Sequence, residues 1–251
     1  MASKALVRAA ASAVLLLAPA LVAAGDADDL SARQLATQAK DNLLDAESVH
    51  LKLTDRGAAA SAAKTRPTSM DLALDQDGNC VGTLEMGSDG GSVEIVKQSA
   101  EVWMKPDTAF WKAQVPGGQG DAVAELFKDR YIHGSTKDAL LRGMADTCDL
   151  AAFQKDLDTP DPSGRATLTK GDETTLEGTK VIPLKGTEDG TRTTLYVTSD
   201  SPHRLVSATQ KGDGTDLTLT FTDYDRPVPT KTPSADDTVD IGKLQDELRS
   251  I

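Results

Sequence analysis

The chain has 251 residues and carries 39 Asp and Glu against 27 Lys and Arg, for a formal net charge of −12. That balance leaves no basic footprint for nucleic acid or for anionic lipid headgroups. The 3 histidines are isolated in sequence, with no HExxH pair, and the two cysteines have no CxxC spacing, so no metal centre is expected.

The first segment reads as an export signal. Lys4 and Arg8 form a short basic start, Ala9 to Val22 an apolar stretch broken by Pro19, and Ala23, Ala24 and Gly25 a small-residue cleavage zone. The apolar stretch is shorter than the ~20 residues a bilayer crossing needs. A lipoprotein signal would continue into a cysteine, but Asp26 stands at that place. The expectation is cleavage near Gly25 and a secreted, extracytoplasmic chain of the cell envelope with no lipid anchor. Loss of residues 1–25 removes Lys4 and Arg8 and no acid, taking the charge from −12 to −14.

Residues 28–45 carry a 3.6-residue period, with Ala32, Leu35, Ala36, Ala39 and Leu43 on one face and Ser31 and Gln34 at capping-box spacing. From about residue 47 the period drops to two. Val49, Leu51 and Leu53 alternate with His50, Lys52 and Thr54; Met70, Leu72 and Leu74 alternate with Asp71, Ala73 and Asp75. Gly78-Asn79 turns the chain into Cys80, Gly82, Leu84 and Met86, and Val93, Ile95, Val102 and Met104 extend the meander. Asp75-Gln76-Asp77-Gly78-Asn79 resembles the start of a calcium loop, but its Gly comes too early, so a hairpin turn is the better reading. The stretch Ala58–Ala63 reads as a loose loop.

The middle is helical. Val123, Leu126 and Phe127 share one side of a helix with Asp121 as a candidate cap, and Leu140, Met144 and Cys148 recur four apart before Leu150, Phe153 and Leu157. Pro160 and Pro162 mark a break. Strands resume at Ala166–Lys170, Lys180–Lys185, Thr193–Val197, His203–Thr209 and Leu217–Phe221, separated by Gly-Asp and Asp-Gly turns, with a terminal helical turn near Leu244–Leu248. Strands on both sides of one helical insert predict an α+β fold. Residues 26–251 are expected to form one domain, a single large curved antiparallel sheet with helices on one face.

In an oxidising compartment an isolated pair of cysteines is most simply one disulfide, Cys80 to Cys148. Catalysis is not expected. His50 lies on the polar side of its strand, and bland surface places are predicted for His50, His133 and His203. Gly87-Ser88-Asp89-Gly90 is a tight turn rather than a nucleophile elbow.

The most distinctive stretch is Val102-Trp103-Met104-Lys105-Pro106-Asp107-Thr108-Ala109-Phe110-Trp111-Lys112. Together with Leu195-Tyr196-Val197, Ser201-Pro202-His203-Arg204-Leu205-Val206 and Phe221-Thr222-Asp223-Tyr224, it resembles the actinobacterial LppX/LprG-type lipoproteins, which are related in fold to the LolA and LolB carriers. The resemblance covers the whole mature chain in order of elements. It implies a half-open barrel whose helices plug the concave side and whose apolar interlayer holds acyl chains. Those proteins carry a lipidated Cys where this chain has Asp26, so a soluble carrier is the reading that follows.

Two functions fit. The first is a secreted, monomeric, non-catalytic carrier of a lipid or other apolar molecule, needing no cofactor and no nucleic acid, with only transient envelope contacts. Its ligand-facing candidates are Met70, Leu72, Leu74, Leu84, Met86, Val93, Ile95, Val102 and Met104 from the sheet, and Leu126, Phe127, Leu140 and Met144 from the helices. Phe110 and Trp111 follow a Pro-Asp turn and are candidates for the rim, whereas alternation puts Trp103 on the outer face with Glu101 and Lys105. The second is a secreted cell-envelope interaction module with a closed core, in which the same residues are ordinary packing.

Overall fold

A computed structural model describes residues 27–58, 66–158 and 167–242. The export segment at 1–25, all but Ala58 of the Ala58–Ala63 stretch, the Pro160–Pro162 break and the turn near Leu244–Leu248 lie outside the described residues.

After a short 3-10 turn at Ala27–Asp29, helix α1 spans Ala32–Leu44. Its capping box is formed: the Gln34 N–H donates to Ser31 Oγ at 3.3 Å, and the Ser31 N–H donates to Gln34 Oε1 at 2.9 Å. Its apolar face, Leu35, Ala36, Ala39 and Leu43, is buried.

The chain then builds β1 (Ser48–Asp55), β2 (Pro67–Asp75), β3 (Cys80–Met86), β4 (Ser92–Gln98) and β5 (Glu101–Pro106) as an antiparallel meander. Helices α2 (Thr108–Gln114) and α3 (Gly120–Leu126) intervene before β6 (Tyr131–Ser135). Helices α4 (Ala139–Ala145) and α5 (Leu150–Asp158) follow. The second series comprises β7 (Thr169–Lys170), β8 (Thr174–Leu176), β9 (Thr179–Glu188), β10 (Thr191–Thr198), β11 (Leu205–Gly212) and β12 (Thr215–Thr222), with β13 (Thr238–Asp240) near the end.

All belong to one 13-stranded sheet in the order β13-β6-β5-β4-β3-β2-β1-β12-β11-β10-β9-β7, with β8 also on β9. The sheet is not closed, because β13 and β7 end it without meeting. It is an α+β fold, as expected, with one correction. The sheet is mixed rather than wholly antiparallel, since β13 pairs parallel to β6 through Val239 and Ile132. Both β6 and β13 are too short to give a period in sequence.

Register explains why one face is apolar. In β1, Leu53 stands opposite Leu219 on one side and Met70 on the other. The row continues through Leu84, Val93 and Pro106 in one direction and through Ala208, Leu195 and Leu184 in the other. A neighbouring row runs Phe221, Leu51, Leu72, Gly82, Ile95, Met104 and Ile132. Because the side-chain period is two, both rows share one face, and every alternate position shares the other. Gly82 is required in its row, since a Cβ there would sit 1.9 Å from the Asp71 carbonyl oxygen.

The helices close over this face. Cys80 and Cys148 form a disulfide with a Cα–Cα distance of 5.6 Å, tying β3 to the 3-10 turn Asp146–Cys148 between α4 and α5. Gln154 of α5 donates from Nε2 to the Leu43 carbonyl at 3.0 Å and to the Ala46 carbonyl at 2.9 Å. One buried amide thus satisfies carbonyls at the open end of α1.

Candidate functional site

The apolar interlayer is the candidate site. Met70, Leu72, Leu74, Leu84, Met86, Val93, Ile95, Val102 and Met104 are all buried in one hydrophobic cluster with the inner faces of α1, α2, α4 and α5. Phe127 and Met144 are partly buried and pack against that cluster. The strand positions lie together because alternation on a covered sheet admits no other arrangement.

Two helical expectations need correction. Leu126 does not face the layer: it is 63% exposed, and α3 buries Ala124 instead. Asp121 does not cap α3 but lies in its first turn, paired with Lys112 at 2.8 Å; Gln119 holds the cap position. In α4, Leu141 and Ala145 are buried in the cluster with Met144 packed against it, and the side chain of Leu140 lies outside the described ones. Helices of seven residues present barely two turns, so their rotation follows from what they dock on rather than from their own period.

Phe110 and Trp111 follow Asp107 within one turn of helix. They form the middle of α2, both buried. Asp107 caps this helix, accepting the Phe110 N–H at 2.7 Å through Oδ1 and the Ser92 hydroxyl at 2.9 Å through Oδ2. Gly91 permits the docking: its φ is +77°, and a Cβ would lie 2.1 Å from the Phe110 nitrogen. The signal for this cap was legible in Pro106-Asp107-Thr108, where Asp precedes an apolar pair. Trp111 stacks on Phe127 with centroids 5.6 Å apart and meets Phe110 edge-on at 5.7 Å.

The second half of the sheet adds residues that were not among the candidates. Leu184, Leu195, Val197, Leu205, Leu217, Leu219 and Phe221 are buried in the same cluster, and Phe153 of α5 packs 6.1 Å from the Phe221 ring. Their alternation was visible in Leu217, Leu219 and Phe221; what was missing was that β12 returns to pair with β1.

The outer face is polar and internally paired. His50 Nε2 shares a hydrogen bond with Asp71 and its Nδ1 lies 3.6 Å from Asp223, while Lys52 reaches Asp71 at 3.0 Å. Although burial works to raise the Asp71 carboxyl, hydrogen bonds and charge from His50 and Lys52 outweigh it and hold the group below its ordinary value. Glu94 follows the same balance: burial raises it, but Lys105 and the Tyr131 hydroxyl leave it lowered. Tyr131 itself is pushed up to about 12, by burial first and then by its bond to Glu94. His133 lies between Glu101 at 2.7 Å and Asp240 at 3.3 Å and stacks on Trp103 with centroids 4.6 Å apart.

His203 is a further correction. It is 2% exposed, not a surface turn residue. Its Nδ1 lies 3.0 Å from the Thr198 carbonyl oxygen, and its own carbonyl accepts from Asn42 of α1 at 3.1 Å. The α1 helix covers the β10–β11 connection, which no local pattern announces. Among the described residues no group of three or more His, Cys, Asp and Glu is placed to hold a metal.

No family model matches the chain, and no curated protein matches it in sequence. Solved structures do match in shape. LprF from Mycobacterium bovis superposes with a TM-score of 0.54 at 14% identity, covering 81% of this chain and 97% of that one. The chain has an LprF-like fold. The lipoprotein LppX from Mycobacterium tuberculosis aligns with a TM-score of 0.47 at 15% identity over 78% of this chain and 96% of its own. A LolA-superfamily protein from Nitrosomonas europaea aligns more weakly, at 0.23 and 10% identity over 82% and 99%.

Proposed function

We propose that this protein is an extracytoplasmic, non-catalytic carrier of a lipid or other apolar molecule, lodged between the sheet and the helices, with residues 26–251 acting as one soluble unit after export. The observation that carries the reading is the asymmetry of the sheet. One face presents continuous apolar rows from Leu184 to Pro106, and the other presents paired charges. An open sheet whose apolar face is covered by helices encloses a continuous hydrophobic layer between the two. The LprF-like fold supports the architecture, and the sequence resemblance to LppX/LprG-type proteins supports the ligand class.

A closed-core interaction module is the second reading, and a specific observation favours it: Leu72, Leu84, Val93, Ile95, Val102 and Met104 are all 0% exposed, as in a filled interior. Native mass spectrometry of the protein purified from its own envelope or medium fraction separates the two. Co-purified acyl species at fixed stoichiometry are the expected result. A ligand-free chain that takes up no fatty-acyl probe would replace the carrier with the closed module.

A further inference from the structure

Four buried side-chain polar atoms have no hydrogen-bond partner among the described residues: Arg66 Nε, Trp111 Nε1, Ser199 Oγ and His203 Nε2. Arg66 precedes β2, Ser199 follows β10, and His203 lies in the connection to β11, so three of the four sit at strand ends. Trp111 differs. It projects from α2 into the hydrophobic cluster, is 5% exposed, and shares that cluster with Phe110, Met86 and Val93. An indole N–H withdrawn from water without an acceptor forfeits its hydration and gains nothing in return, so buried indoles ordinarily find a partner.

From this we infer that the Trp111 Nε1–H is the donor that receives an acceptor oxygen of the ligand, so that the cargo is an amphiphile with an ester, carboxyl or hydroxyl oxygen and not a plain hydrocarbon. The inference rests on the carrier reading and adds polarity and orientation to it. The oxygen-bearing end lies under the α2–α3 hairpin, and the chain runs along the apolar rows of the sheet. The hairpin suits an end-on polar contact. Its helices approach so closely that a Cβ at Gly120 would lie 2.6 Å from the Lys112 Cα, which fixes the Trp111 backbone. Stacking on Phe127 and the edge contact with Phe110 fix the ring. A donor held this rigidly selects by the position of the acceptor as well as by its presence.

The test compares methyl laurate with an n-alkane of matched length, each delivered to the wild type and to Trp111→Phe, which keeps an aromatic ring but has no N–H. Proton–nitrogen NMR reads the two indole groups of the chain, Trp103 and Trp111, assigned with Trp103→Phe. The Trp111 indole proton is expected to move downfield with the ester and to stay with the alkane, while Trp103 stays with both. W111F is expected to lose up to about tenfold in ester affinity and nothing in alkane affinity. Binding of both probes with an unmoved Trp111 indole, or with equal ester affinity in a folded W111F, overturns the inference and leaves the carrier intact. Binding of neither probe overturns both. Should W111F not fold, the indole shift in the wild type decides alone.

Discussion

The side-chain amide of Gln154 donates to the carbonyl of Leu43 at 3.0 Å, across 111 residues of sequence. It also donates to Ala46, and its Oε1 accepts from Gln76 Nε2 at 3.3 Å. The insert therefore locks the first helix in place through its last carbonyls and through apolar contact alike. Gln154→Ala removes the donor to the Leu43 carbonyl, while the Ala46 carbonyl keeps Gln76 Nε2 at 3.0 Å, and is expected to cost about 1–3 kcal/mol. Chemical denaturation gives the magnitude, and hydrogen exchange should show the loss concentrated at the end of α1. Uniform exchange across the sheet would refute the local account.

The Cys80–Cys148 bridge closes a separation of 68 residues. On the chain-entropy account such a loop stabilises the fold by about 4 kcal/mol, by restricting the unfolded chain. Cys80→Ala with Cys148→Ala is expected to lower stability by that order. Peptide mapping without reductant should recover the two cysteine peptides joined.

Acid should weaken the outer face. Asp71 and Glu94 are held below their ordinary values of 3.8 and 4.5, so their stabilisation is complete above those values and is lost as pH falls through the lowered folded values. Tyr131 works in the opposite direction. Raised to about 12 from 10.0, it contributes below pH 10.0 and loses its contribution as pH rises toward 12. Melting temperatures of Glu94→Gln should show a shallower acid slope than wild type, and ultraviolet titration should show Tyr131 ionising late.

Steric probes of the interlayer should differ by place. Val102 is wholly buried in mid-strand, so Val102→Trp overpacks it and is expected to cost about 1–3 kcal/mol. Met86 ends β3 beside the α2 docking point, so Met86→Trp should cost less and block uptake of a fluorescent acyl probe. Equal destabilisation of both, with no probe binding to wild type, would point to the closed module.

Leu126 should be indifferent to folding. At 63% exposure, Leu126→Glu is expected to shift stability by less than about 0.5 kcal/mol. A large loss would mean that α3 is rotated from the orientation described.

Local chemistry made several features legible in the chain. Alternation in Leu51–Leu53, Met70–Leu74, Leu84–Met86 and Val102–Met104 determined which side chains share a face, because the strand period is two. The Ser31–Gln34 box determined where α1 begins, because both of its bonds span only three residues. Tertiary structure alone decided the rest. The seven-residue helix α3 docks on α2, which leaves Leu126 exposed, and α4 docks on β5 and β6 beside the Cys148 tether, with Leu141 and Ala145 turned inward. The burial of His203 depended on α1 arriving from 161 residues away through Asn42. The parallel β13–β6 pair and the return of β12 to β1 are contacts between distant segments, and a local period carries no information about which distant strand will supply the missing hydrogen bonds.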